Sequence, residues 1–175
     1  MKVIGLAGWS GAGKTTLLTR VLPELTAGGL KVSTIKHAHH AFDLDAPGKD
    51  SWRHREAGAS EVLIASSKRF ALLHELRAEQ EPTLAHLLTR LSPVDLLIVE
   101  GFKFEAHPKI EVHRQANEKP FLHLQDPRIL GVVTDAPRPA HLPGAHLDDI
   151  PAVAAMMLAL ATPLADVLAR LNGEV

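Results

Sequence analysis

Apolar residues recur along this chain with two periods, and each change of period marks an element. Lys2–Ala7 (KVIGLA) is a short apolar run closed by glycine, the pattern of a buried strand. From Lys14 to Thr26 the apolar positions become Leu17, Leu18, Val21, Leu22 and Leu25, one face of a helix that Gly28 and Gly29 stop. Leu30–Ile35 alternates and is β-branched, which predicts a second strand. The stretch from Lys36 to Lys49 has no period and predicts a polar loop. Asp50 or Ser51 caps a short helix through Ala57, ended by Gly58. Glu61–Ala65 and Arg69–Leu73 flank Ser66-Ser67-Lys68, which predicts a hairpin. Thr83–Leu91 repeats leucine at helical spacing behind Pro82. Val94–Val99 (VDLLIV), Lys109–Val112 and Ile129–Val133 predict three further strands. Pro137–Pro143 reads as a proline-rich loop. Asp149–Leu171 reads as helix divided at Pro163. Alternation of apolar strands with helices predicts an α/β fold: a mostly parallel sheet in three layers, helices on both faces, and a β-hairpin extension.

Composition narrows the classes. The chain has 175 residues, a length for one domain, taken here as residues 1–175. A formal net charge of -1 implies no broad basic surface for nucleic acid or an anionic membrane. Cysteine is absent, which removes disulfides, thiol nucleophiles and thiolate metal sites and fits a reducing cytoplasm. The N-terminal apolar run and Ala152–Ala161 are both too short for a membrane span.

The chemistry starts at Gly8-Trp9-Ser10-Gly11-Ala12-Gly13-Lys14-Thr15, a phosphate-binding P-loop between a predicted strand and a predicted helix. Glycines let successive N–H groups turn toward phosphate oxygens, and the helix N-terminus adds positive charge. Lys14 is the phosphate-reaching cation, and Thr15 offers a hydroxyl to Mg²⁺. In a parallel sheet, ligands lie at the carboxyl ends of strands. Glu100 closes the VDLLIV strand at that end and is the candidate Mg²⁺-linked acid; Asp95 lies at the other end. Lys36 and His37 leave the second strand at the same edge. In the loop beyond, Asp43, Asp45 and Asp50 are candidates for the metal shell, and Lys49, Arg53 and Arg55 for phosphate. His37, His39 and His40 suit either Zn²⁺ or Ni²⁺ or a nucleotide- or substrate-facing polar loop. The 11 histidines are spread as far as His146, which favours the polar loop. Trp52 reads as a helix-face anchor.

The P-loop GWSGAGKTTLL, the stretch TIKHAHHAFDLDAPGKDSWRHREAGA, and VDLLIVEGFK followed by PKIEVHR together resemble the MobB family of molybdopterin-guanine dinucleotide biosynthesis adaptors, over residues 2–135. The P-loop alone is generic, whereas the histidine-rich stretch and EGFK followed by PKIE are specific. The resemblance implies a P-loop NTPase-type fold, GTP and Mg²⁺ as ligands, weak GTP hydrolysis and a homodimer. It also implies an accessory role beside the guanylyltransferase MobA, which joins GMP to molybdopterin. It carries phosphate binding to Gly8, Ser10, Gly11, Ala12, Gly13, Lys14, Thr15 and Thr16, and Mg²⁺ linkage to Glu100 and to Asp45 or Asp50. The Asn-Lys-x-Asp guanine motif of many GTPases is incomplete here: Asp135 stands at the right strand end without the Asn and Lys. GTP over ATP therefore rests on the family. The loop from His37 to Arg55 is expected to act as a switch beside the γ-phosphate and to face the partner or the pterin. A P-loop small-molecule kinase and a metal-insertion GTPase are the rival readings. The first lacks an arginine-rich lid, and the second lacks the usual cysteine.

Overall fold

The N-terminal apolar run lies inside a parallel sheet, and the phosphate loop leaves directly from its end. The computed structural model describes residues 1–38 and 42–174. Its elements are β1 (Lys2–Ala7), α1 (Lys14–Ala27), β2 (Val32–Lys36), α2 (Asp50–Glu56), β3 (Glu61–Ala65), β4 (Phe70–His74), α3 (Leu84–Arg90), β5 (Leu96–Glu100) and β6 (Lys109–His113). There follow a 3₁₀ turn at Gln115–Asn117, β7 (Ile129–Thr134), β8 (Gly144–His146), α4 (Ile150–Leu160), β9 (Thr162–Pro163) and α5 (Leu164–Leu171). The chain divides into two units, one of Met1–His37 with Leu84–Val175, the other Ala38–Thr83.

In the first unit the strand order is β2-β5-β1-β6-β7-β8, all parallel, with β9 antiparallel beside the start of β1. Every residue of β5 is buried, because its two faces feed two cores. Leu96 and Ile98 join Ile4, Leu6 and the α1 and α4 side chains Leu17, Val21, Val153 and Met157. Leu97 and Val99 join Val3 with Leu84 and Leu88 of α3 and Val167 of α5. This is the expected three-layer arrangement, and it explains why β5 reads as a continuous apolar run.

The differences from expectation lie at element ends. The strand expected from Leu30 begins at Val32, because the N–H of Leu30 closes the end of α1 on Leu25 O at 3.4 Å. The strand expected from Val94 begins at Leu96. Asp95 sits outside it and accepts from the Lys31 N–H at 2.8 Å, a strand-edge charge as its position suggested. β8 and β9, two or three residues each, escaped the pattern because so short a run has no period.

The second unit holds α2 and the hairpin. β3 and β4 pair antiparallel with Leu63 opposite Leu72 and Ala65 opposite Phe70. Ser66 closes the turn by donating its N–H to Arg69 O at 2.8 Å. Among the described residues no helix is long and apolar enough to cross a membrane.

Candidate functional site

The carboxyl ends of β1, β2 and β5 meet at one edge because Leu6, Lys36 and Glu100 stand in register. From that edge residues 8–13 curl into the phosphate loop. Gly8 has φ +151° and a Cβ there would stand 2.4 Å from Val112 O, so only glycine fits. Gly13, with φ 88°, caps α1. Lys14 folds back over the loop, donating to Gly8 O at 2.8 Å and Trp9 O at 3.1 Å. Burial lowers its pKa; Glu100 acts against that, and Lys103 and Lys36 add to it.

Thr15 Oγ1 donates to Glu100 Oε1 at 2.6 Å. Lys36 Nζ lies 3.2 Å from that hydroxyl and 3.4 Å from the same carboxylate oxygen. Glu100 is buried while the Lys36 side chain is largely exposed. A hydroxyl and a carboxylate converging on one point form a donor set for a hard cation, and the Lys36 ammonium is a stand-in charge there. Thr15 and Glu100 are thus the residues that fit Mg²⁺, whose chemistry would be to neutralise phosphate charge.

The segment after β5 is a second device. Gly101 has φ +103°, and a Cβ would approach His37 Cβ to 2.7 Å. Phe102 follows with φ 48°, a left-handed position that costs a bulky residue about 1–2 kcal/mol. Stacking on His37 at 4.5 Å between ring centroids holds it there. The turn returns Lys103 to a position 3.7 Å above the Trp9 ring, beside the loop. Lys103 was not legible as a site residue, although the glycine in EGFK announces a sharp reversal.

Two further residues come from the end of β6. The Arg114 guanidinium lies against Gly13: a Cβ there would be 3.4 Å from Arg114 Nη2. Asn117 Nδ2 donates to Ser10 O at 3.0 Å. Buried polar side chains of β6 fix this segment. Glu111 accepts from the N–H groups of Leu122 at 2.6 Å and His123 at 3.0 Å. One ring nitrogen of His113 meets Lys119 O at 3.0 Å and the other Thr134 Oγ1 at 3.0 Å. Lys109 pairs with Asp126 at 3.0 Å. Asp135, the guanine candidate, accepts from the Gln115 N–H at 2.7 Å, and its other oxygen is 3.8 Å from Arg114 Nη1.

Of the expected site, Lys14, Thr15, Lys36 and Glu100 come together. Ser10, Gly11 and Ala12 lie in the loop, and Thr16 is in the first turn of α1. His37 and Asp135 also belong to the first unit, and the candidates from Asp43 to Arg55 belong to the second. Asp45 accepts from Ser51 Oγ at 3.0 Å and lies 3.7 Å from Arg55 Nε. Arg55 also bonds Asp43 at 3.0 Å and Glu75 at 2.9 Å. Lys49 precedes α2 as its cap, Asp50 opens it, Trp52 is half-buried and Arg53 is exposed. His39 and His40 lie outside the described residues. Among the described residues no three His, Asp or Glu side chains group as a metal site.

The family model of MobB, molybdopterin guanine dinucleotide synthesis protein B, matches residues 3–135. The chain belongs to the MobB family. The molybdopterin-guanine dinucleotide biosynthesis adapter protein of Haemophilus influenzae is 44% identical over 137 residues, 77% of this chain and 75% of that protein. The adapter of Escherichia coli is 43% identical over 138 residues, 77% of this chain and 79% of its own length. A crystal structure of a MobB protein superposes with a TM-score of 0.70 at 30% identity, covering 90% of this chain and 99% of the other. The resemblance read from the motifs is therefore a family relationship. The three-layer P-loop architecture is the MobB fold, and the phosphate loop, Glu100 and Arg114 all fall inside the segment that the family model matches.

Proposed function

We propose that this chain is an adaptor of molybdopterin guanine dinucleotide synthesis that binds GTP with Mg²⁺ and assists the guanylyltransferase MobA in the cytoplasm. The adaptor role follows from family membership. The nucleotide reading is carried by one observation: Lys14, Thr15 and Glu100 converge at the mouth of a P-loop, the grouping a phosphate and its Mg²⁺ require. Hydrolysis on this reading is weak, since a water-positioning glutamine or an arginine finger is a separate part. A homodimer is part of the proposal. The β3–β4 hairpin exposes Leu63, Phe70 and Leu72 on one face, and an isolated two-stranded sheet gains stability from a cover. Presentation of the 37–55 loop to MobA or to molybdopterin completes it.

The test is guanylyl transfer to molybdopterin by MobA, with and without this protein. The proposal expects the chain to raise dinucleotide formation, and a Lys14→Ala variant to fail to do so. Equal stimulation by both proteins would leave an adaptor whose P-loop takes no part.

A further inference from the structure

Arg114 has no role assigned by the P-loop pattern, yet its side chain lies across the face of Gly13, the cap of α1. That position is electrostatically adverse. A helix N-terminus carries partial positive charge and disfavours a nearby cation. Lys14 is already there, with Lys36 and Lys103 close enough to lower its pKa further, after burial. The acids offset this charge only in part, with Asp135 at ion-pair distance from Arg114 and Asp148 within its electrostatic reach. Glu100 is engaged by Thr15 and Lys36. Asp135 spends one oxygen on the Gln115 N–H at 2.7 Å, and its other stands 3.8 Å from Arg114, beyond hydrogen-bond reach.

The backbone holds Arg114 in this place. β6 pairs with β7 through His113 opposite Thr134, and Gln115 and Asn117 are tied to Asp135 and Ser10. We infer that Arg114 is a binding residue for the α/β-phosphates of the nucleotide, its planar fork lying over the cap of α1 on the side away from Glu100. The inference rests on the nucleotide reading above and adds a direction to it. The polyphosphate runs from the Thr15–Glu100 pair, which fits the metal, past Lys14 to Arg114 and the Asp135 strand end. Arginine suits that task because it meets phosphate oxygens in pairs, which lysine does not.

Calorimetric titration of the full chain with GDP and with GTP, Mg²⁺ present, tests it. In Arg114→Gln, affinity for both nucleotides is expected to fall together by about ten- to a hundredfold, the usual weight of a charge-assisted contact. Arg114→Lys is expected to recover part of the loss, and the melting temperature of both variants without nucleotide to match that of the parent. Several results would overturn the inference. Affinity in Arg114→Gln within about twofold of the parent, while Lys14→Ala loses binding, would remove Arg114 alone. A loss confined to GTP would put Arg114 at the γ-phosphate and reverse the direction. A fall in melting temperature that tracks the affinity loss in both variants would make the residue structural. A parent chain that binds neither nucleotide would overturn the nucleotide reading and this inference with it.

Discussion

His107 shows how a single buried residue couples this fold to pH. It is fully buried beside Gly5, where a Cβ would stand 2.3 Å from its Nε2. Burial, reinforced by Lys109, pushes its pKa down to about 3; Asp126 opposes the shift and Arg128 adds to it. The unfolded ring titrates near 6.5, so between about pH 6.5 and 3 the unfolded chain binds a proton that the native chain refuses. Stability from this group is therefore complete above pH 6.5 and falls on acidification. Between pH 7 and 5 the loss amounts to about 1–2 kcal/mol. Urea unfolding at the two pH values measures it, and His107→Leu is expected to show a smaller loss over the same interval. An equal loss in both proteins would assign the acid sensitivity elsewhere. Nothing in AHPKIE distinguishes this histidine from the ten others, because burial is set by the sheet and not by its neighbours in sequence.

At the scale of elements, strand ends carried the legible part of the site. The rule that ligands lie at the carboxyl ends of parallel strands found Glu100 on β5 and Lys36 on β2. Applied to β6 it would have found Arg114. The strand was expected to end at Val112, however, and its polar residues Lys109, Glu111 and His113 hid that it is a buried strand tying down the segment after it. The histidine-rich stretch was legible as polar but not as organised. Arg55 gathers Asp43, Asp45 and Glu75, contacts that span residues far apart in sequence. That arrangement separates two substitutions. Arg55→Ala is expected to speed protease cleavage between residues 42 and 49, since it releases three carboxylates at once. Exposed Arg53→Ala is expected to leave cleavage unchanged while lowering dinucleotide formation with MobA. Limited proteolysis beside the transfer assay checks both. Faster cleavage in Arg53→Ala, or full activity in that variant, would contradict the assignment of Arg53 to partner or substrate contact.

At the scale of the whole molecule, the architecture followed from periodicity because β1, β5 and β7 are apolar enough to be buried and α1 has one apolar face. The hairpin was equally plain, with a turn of small polar residues between two apolar runs. What periodicity does not encode is charge balance: four cations of the first unit meet around one helix N-terminus, and only the folded chain brings Lys14, Lys36, Lys103 and Arg114 together. On the proposed function, that charge meets the phosphates of a nucleotide. Binding of GTP, GDP and ATP in the presence of Mg²⁺, measured by calorimetry on the parent chain and on Lys14→Ala, tests it most directly. Guanine nucleotides are expected to bind more tightly than ATP, and Lys14→Ala to weaken GTP binding by about ten- to a hundredfold with an unchanged melting temperature. A chain that binds no GTP, or that binds it equally well without the Lys14 ammonium, would contradict the nucleotide reading.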